Sequence, residues 1–325
     1  MIEKQHNLLS KLSLPRPLYF PSISSVKTTL SPLEYVKIMS SLKSLYPFFL
    51  VSAYDIAHTF MSESNFIEEY INNATSKGIT IMIDSGNYES YWKASSWSPK
   101  DFHAVLSKID CPMIFCYDSQ SPPQDINQYK RLILANWAED VKHSKGSVLI
   151  PIVHGTKENI PELCQYIAYE TKCPIIAVPE RRLGDGLIER SKTVANIRSA
   201  LNSNGVYVYL HLLGTGNPIS IAVYAIMGAD SFDGLEWCQT VVGPETAFLF
   251  HFSQAELFWD NGGYDSENLP YILKTLAHNI EFYSGWMKQL QDAIRSDTAI
   301  DFCATRFPHN IYSKISKALH WKKPS

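Results

Sequence analysis

Two aspartates are carried by short strand-like stretches. Asp84 ends Ile79-Thr80-Ile81-Met82-Ile83, and Ser85-Gly86-Asn87-Tyr88 follows at once. Asp233 sits in Gly228-Ala229-Asp230-Ser231-Phe232-Asp233-Gly234, after a helix-like segment over 218–227. A buried strand that ends in a carboxylate delivers it to one end of a sheet. Two carboxylates converging on one pocket can share the breaking of a glycosidic bond, one as nucleophile and one as acid/base. Asp118 after 112–117, His154 after 148–153 and Glu180 after 174–179 stand at equivalent places. Taken singly, each has a plainer use. A strand-end Asp often caps a helix or turns the chain, and a His can be a satisfied core residue. The chemistry rests on all of them meeting at one end of the fold.

A frame that gathers strand ends is written along the chain. Apolar runs at 17–23, 48–53, 79–83, 112–117, 148–153, 174–178, 206–213 and around Asp233 alternate with helical patterns. Ser31-Pro32-Leu33-Glu34 and Ser98-Pro99-Lys100-Asp101 put Ser at N-cap, Pro at N1 and an acid at N3, which starts a helix. Further helices are expected over 65–76, stopped by Gly78, and over 125–142, 160–169, 187–201 and 218–227. About eight near-continuous apolar strands, each followed by a helix, favour a parallel α/β TIM (β/α)8 barrel over an open sheet. Such barrels carry their sites at the C-terminal ends of the strands. After Trp237 the alternation stops. An aromatic-rich stretch over 246–259, a turn at Asn261-Gly262-Gly263, a long helix over 269–293 and a turn or helix at 300–302 follow. The expectation is a single domain, 1–325, with the barrel over about 16–240 and a C-terminal helical appendix over about 241–325.

Composition narrows the function classes. A hydrophobic content of 45% supports a sizeable core, and a net charge of -3 argues against binding nucleic acid by bulk charge. A local basic patch stays open at Lys314, Lys317, His320, Lys322 and Lys323. The six cysteines form no Cys-x-x-Cys pair and sit mostly in apolar runs, as in a reducing compartment. The N-terminus lacks a signal-peptide block, and the apolar run at 46–54 is too short to span a bilayer. A soluble, cytoplasmic protein with no membrane partner is expected.

Two other readings compete on pattern alone. Gly214-Thr215-Gly216 and Gly228-Ala229-Asp230 stand where many barrels bind phosphate through backbone amides. Asp84 and Asp118 would then work on a small sugar or cofactor. An inactive barrel serving as a binding subunit is the other, against which the presence of both Asp84 and Asp233 weighs.

The motifs together resemble the tRNA-guanine transglycosylase family over roughly 16–307. Arg16-Pro17-Leu18-Tyr19-Phe20-Pro21 and Leu30-Ser31-Pro32-Leu33-Glu34 resemble its opening strand and helix. Asp84-Ser85-Gly86-Asn87-Tyr88 is similar to its Asp-Ser-Gly-Gly-(Phe/Tyr), and Ile152-Val153-His154-Gly155 to its Ile-Val-Gln-Gly. Ala177-Val178-Pro179-Glu180 resembles Ala-Val-Gly-Glu. Leu212-Leu213-Gly214-Thr215-Gly216-Asn217-Pro218 resembles Leu-Met-Gly-Val-Gly-Thr-Pro. Gly228 to Asp233 resembles the Gly-Val-Asp-Met-Phe-Asp that carries the nucleophile, and His278-Asn279-Ile280-Glu281-Phe282-Tyr283 the late His-Asn helix. The resemblance implies a TIM barrel that exchanges guanine in nucleic acid for a free 7-deazaguanine base, without a cofactor. It implies Asp233 as nucleophile, Asp84 as acid/base, and Ser85, Tyr88, Asp118, His154, Gly155 and Glu180 as substrate-binding residues. Tyr88 would stack on the base and Asp118 would bond its polar edge. The target nucleotide must leave its stack to enter.

Three departures shape the expected partners. His154 replaces the family's Gln. Gly234-Leu235-Glu236-Trp237-Cys238-Gln239-Thr240 replaces Cys-Val-Met-Pro-Thr-Arg and lacks its Arg. The zinc-binding cysteine cluster is missing, with only His278 matching, so no metal is expected. Because zinc subdomain and Arg loop help the family hold RNA, and no RNA-binding domain follows the barrel, DNA is favoured over tRNA. A branch of this superfamily inserts 7-deazaguanines into DNA. Trp237 is a candidate to stack on an exposed base or wedge into a duplex, or else a core residue. The near-neutral charge suggests a partner protein that opens or grips DNA.

Overall fold

A computed structural model describes residues 10, 12–60, 66–119, 121–259 and 269–321. Its strands are β1 (Leu18–Ile23), β2 (Phe48–Ser52), β3 (Thr80–Asp84), β4 (Met113–Phe115), β5 (Val148–Ile150), β6 (Ile175–Pro179), β7 (Tyr209–Leu213) and β8 (Ser231–Gly234). All eight pair in parallel, in the order β5-β4-β3-β2-β1-β8-β7-β6. Most of the strands are apolar on both faces because the barrel interior covers one and the helices the other. Pro151 ends β5, since it has no N–H for the ladder. Its carbonyl still accepts from Ala177 N–H at 3.0 Å, and Val153 N–H reaches the Ala177 carbonyl at 2.8 Å. With the bridge between Ile152 and Ala177, that seam brings β5 to β6 and closes the ring narrowly.

The outer layer holds α1 (Pro32–Ser41), α2 (Asn87–Lys93), α3 (Pro99–Leu106), α4 (Ile126–His143), α5 (Ile160–Thr171), α6 (Leu187–Asn202) and α7 (Pro218–Ile226). Ser31 and Ser98 each accept from the N3 amide while Glu34 and Asp101 return to the cap N–H. Both expected capping boxes therefore form. Between β2 and β3 the expected 65–76 helix is split. Ile67–Asn72 winds as a wide π-helix, and a 3-10 turn, Thr75–Lys77, ends at left-handed Gly78. The strand expected from 206 starts only at Tyr209, because Tyr207 turns aside. Its ring lies under the Arg16 and Arg198 guanidiniums, and its hydroxyl bonds Asp230.

After β8 the aromatic-rich stretch makes an antiparallel hairpin of β9 (Thr240–Val242) and β10 (Leu249–His251). These three-residue strands are too short to show a period in sequence. The Asn261-Gly262-Gly263 turn lies outside the described residues. Then come α8 (Tyr271–Arg295), α9 (Ala299–Arg306) and α10 (His309–Ala318). α8 lies against β1 and α7, as the eighth helix of the outer ring would. Tyr283 stacks on Tyr19 at 4.6 Å and donates to the Gly216 carbonyl at 2.6 Å. Lys314, Lys317 and His320 are exposed near the end of the described chain, and Lys322 and Lys323 lie outside it. Among the described residues no helix is long and apolar enough to cross a membrane.

Asn279 ties α8 to the segment after β8. Its Oδ1 accepts from Val242 N–H at 3.0 Å, and its Nδ2 donates to the Trp237 and Thr240 carbonyls at 2.7 and 2.8 Å. Replacing this buried amide strands three backbone groups, each worth roughly 1 kcal/mol or more when left unsatisfied. Asn279→Ala should lower the unfolding free energy by about 2–4 kcal/mol, read from the shift of the urea midpoint. A change within about 0.5 kcal/mol would contradict this role.

Candidate active site

Asp233 is built from three strands. In register it lies beside Phe20 of β1, and its neighbour Phe232 lies beside Leu212 of β7. Two residues past Phe20, Ser22 Oγ donates to Asp233 Oδ2 at 2.8 Å. On the other side His211 Nε2 lies 3.0 Å from Oδ1, and Gly214 N–H donates to Oδ1 at 3.2 Å. His211 is fully buried and packed against the Phe20 and Phe115 rings. Its Nδ1 is 2.8 Å from Ser231 Oγ. A carboxylate only accepts, so His211 gives its Nε2–H to Asp233, and Nδ1 can take the Ser231 hydroxyl proton. Asp233 is thereby fixed in orientation, with Oδ1 carrying two donors and Oδ2 one.

Asp84 ends β3, in register with Ser52 of β2. Burial pushes its carboxyl well above the usual range, and the negative charges of Glu89, Asp118 and Asp233 push it further. The Ser85 N–H works the other way. Behind it Glu89, on α2, is buried and accepts from Ser24 Oγ at 2.5 Å and Ser52 Oγ at 2.7 Å. Burial, then the charge of Asp55, raise Glu89 to about 7.

Asp118 is treated in the opposite way. It lies three residues beyond β4, because Tyr117 N–H leaves the ladder to bond Asp140 at 2.8 Å. Burial alone would raise Asp118. Hydrogen bonds from His154, Asn87 and Ser85, with the attraction of His154, outweigh it and bring it below the usual range. Ser85 Oγ and Asn87 Nδ2 reach Oδ1 at 2.9 and 3.0 Å, and His154 Nε2 reaches Oδ2 at 3.0 Å. Three of its roughly four lone pairs are filled, which leaves one for a ligand. The His154 backbone N–H is bonded to the Tyr129 hydroxyl at 2.8 Å, while its ring Nδ1 is buried without a partner among the described residues. Glu180 Oε1 takes the Tyr224 hydroxyl at 2.8 Å and Arg190 at 3.0 Å.

These side chains meet. Asp84, Ser85, Tyr88, Asp118, His154, Glu180 and Asp233 all line one open cavity of about 460 Å³. Gly155 is not among the lining residues. A Cβ there would strike the Asn159 side chain and Ile160, so it packs the turn before α5.

Sequence reading missed Ser22, Glu89, His211 and Glu236. Ser22, Glu89 and Glu236 line the cavity, and His211 stands behind Asp233. Glu236 follows β8, with its carboxylate wedged between Gly216 and Gly234, where a Cβ on either would overlap Oε2. Burial chiefly raises Glu236 to about 7, although the Gly216 N–H bonds it. The one signal for it in the sequence is the spacing Asp-x-x-Glu after β8, which on its own reads as a departure from the family pattern.

The loop raised as a phosphate site is occupied by these acids. Gly214 N–H bonds the Asp233 carboxylate, Thr215 N–H bonds the Asp233 carbonyl, and Gly216 N–H bonds Glu236. Amides committed to two acids offer a phosphate little, and the acids repel it. Asp230 is likewise spent on Arg198, Tyr207 and Leu210 N–H.

Trp237 does not face a ligand. It is fully buried, set edge-on to Tyr35, and its Nε1–H donates to the Ser22 carbonyl at 2.7 Å. That corrects the stacking or wedging role and makes it the brace of the strand segment carrying Ser22. His278 Nε2 bonds the Val242 carbonyl at 2.8 Å. Among the described residues no three His, Cys, Asp or Glu side chains group to hold a metal.

No protein-family model matches the chain, and no curated protein matches it.

A carboxyl raised by folding favours the native state most when both states are protonated. For Glu236 that stability is complete below about 4.5 and is lost as pH rises through about 7. Glu236→Gln removes the ionisation. Relative to wild type, the variant should gain about 3 kcal/mol between pH 4.5 and 7.5, because each pH unit crossed with the unfolded chain ionised and the native acid protonated costs wild type about 1.4 kcal/mol. Urea unfolding across that range measures it. A constant difference between the two proteins would show that Glu236 is not held protonated.

Proposed function

We propose that the protein is a nucleobase transglycosylase that exchanges guanine in nucleic acid for a 7-deazaguanine base. The observation that carries the reading is the pair Asp233 and Asp84 on one cavity, in opposed surroundings. Three donors orient Asp233, whereas burial and three neighbouring acids raise Asp84 well above the usual carboxyl range. One carboxyl held by donors beside another raised by burial and like charges suits a division into nucleophile and acid. The order of motifs that resembles the tRNA-guanine transglycosylases supports the same division, and a cavity of about 460 Å³ suits one extruded nucleoside.

The steps balance without a cofactor. Asp233 Oδ2, which carries the single donor, attacks the anomeric carbon. The bond from that carbon to guanine breaks, and Asp84 gives the leaving base its proton. A sugar ester on Asp233 remains. The incoming base loses its proton to the Asp84 carboxylate and attacks the same carbon from the vacated side, freeing Asp233. Two inversions retain configuration. Tyr88 offers a ring face to the base, Asp118 its one open lone pair, and His154 its unpartnered Nδ1.

DNA is the favoured polymer. The segment after the nucleophile is a buried helical turn, Glu236–Gln239, and not a basic loop. A partner protein that opens duplex DNA fits the modest charge. Labelled guanine offered with matched DNA and tRNA pools at low salt should enter DNA. Label in tRNA alone, with single-stranded DNA and cell extract also supplied, would reverse the polymer assignment. Label in neither would remove the activity.

The roles of the two acids separate with a substrate whose base departs unaided. N7-methylguanine carries a positive charge and leaves without a proton. Asp84→Asn should lose guanine exchange by at least 100-fold, in line with acid catalysis, yet still release 7-methylguanine. Asp233→Asn should release neither. Equal loss of both bases in Asp84→Asn would contradict its part as the acid. Because the protonated form is the active one, wild-type guanine release should also fall as pH rises through the raised value of Asp84.

A further inference from the structure

The aromatic wall of the cavity continues outside it. Tyr88, Tyr91 and Trp92 lie three and four residues apart on α2, which sets them on one side of the helix. Tyr88 lines the cavity. Its ring meets Trp92 edge to face at 6.4 Å, and Trp92 meets Tyr91 the same way at 5.7 Å. The run leads from the half-buried Tyr88 to Trp92, 51% exposed, and Tyr91, 68% exposed. Single exposed aromatics are ordinary, but a contiguous set opening from a binding cavity marks an interaction surface.

Cations follow the same line. Lys27 also lines the cavity, and its Nζ lies 3.7 Å from the centre of the Trp92 ring. Lys93 is the next residue on α2, exposed, with its ammonium on Ser25 Oγ. Arg181 lines the cavity near enough to Tyr88 to act on its hydroxyl. The interior by contrast is walled by carboxyls, which suit a base or sugar and repel phosphate. Charge therefore divides the site into an acidic interior and a cationic, aromatic rim.

We infer that this side of α2 is the track for a single nucleic-acid strand, on which bases flanking the cavity nucleotide stack on Trp92 and Tyr91 while their phosphates take Lys27 and Lys93. The inference rests on the transglycosylase reading of the cavity. Base–aromatic stacking accepts any base, and lysines neutralise phosphates one by one. Paired bases have no free faces to stack, so the strand must be open at the rim. This gives the chain its own hold on an opened strand, with Trp237 buried.

The test compares wild type, Tyr91→Ala/Trp92→Ala and Lys27→Ala by fluorescence anisotropy on short labelled single strands of DNA and of RNA. Urea unfolding confirms that each variant is folded. The double variant should bind single strands about tenfold more weakly whatever their sequence, and raise KM for guanine exchange in parallel. Lys27→Ala should flatten the salt dependence of binding. Exchange by wild type with KM and strand affinity unchanged in the double variant would overturn the track and leave the activity standing. Weakened strand binding with no exchange in any polymer would keep the track and overturn the activity. Wild type that binds neither strand would overturn the track. So would a dimer in sedimentation that the double variant dissolves at unchanged strand affinity, since a second copy would then cover the patch.

Discussion

Among the described residues six carboxyl groups face one cavity, and the cationic side chains on its wall are Lys27 and Arg181, with His154 beside them. So many like charges in a partly dry space cannot all ionise. The fold resolves the conflict by placing donors unequally. Asp118 receives three side-chain donors, Asp233 two and a backbone N–H, and Glu180 an arginine and a tyrosine. Asp84 and Glu236 receive little beyond a backbone N–H, and Glu89 has two serines against full burial. Burial therefore shifts those three toward the protonated form. On the proposed reading, the unequal supply would divide similar side chains among acid, nucleophile and ligand in one chamber.

That supply comes from the barrel register. Ser22 reaches Asp233 because β1 and β8 are paired with Phe20 beside Asp233, which puts Ser22 just past the end of β8. His211 reaches it from β7, with Phe20 and Phe115 closing round the ring. Trp237 holds the backbone of Ser22 from outside, and Asn279 holds the carbonyl of Trp237. Tyr283 of the same helix bonds Gly216, whose N–H bonds Glu236. α8 is thus joined to Asp233 through Trp237 and Ser22, and to Glu236 through Gly216, although it lies outside the chamber.

The strand ends were legible in the sequence because burial on both faces leaves unbroken apolar runs, and the first ionisable residue after each run marks where the strand leaves the core. Asp84, Asp118, His154 and Glu180 follow that rule; Asp233 lies inside the short β8 with Asp230 ahead of it, and all five meet at one cavity. Glu89 and His211 do not follow it. Glu89 is one turn into a helix, where an acid usually reads as a solvated first-turn charge, and His211 lies within an apolar strand, where it reads as core. Their importance comes from neighbours distant in sequence, Ser24 and Ser52 for one and Asp233 for the other. Trp237 was open to two readings in sequence, a ligand-facing ring or a core residue. The chain turns at Leu235 and packs the indole against β1, so the core reading holds. Strand limits were misjudged where a side chain drew the backbone off the ladder, as Asp140 does at Tyr117 and as Asp230 and the arginines do at Tyr207.

The central claim is that Asp233 becomes covalently attached to sugar. Incubation with guanine-containing nucleic acid in the absence of an incoming base, a quench in denaturant, and peptide mapping by mass spectrometry would locate the bond. One modified peptide is expected, with the sugar ester on Asp233, formed together with released guanine. Guanine release with no adduct, or with the adduct on Asp84 or Glu236, would contradict it.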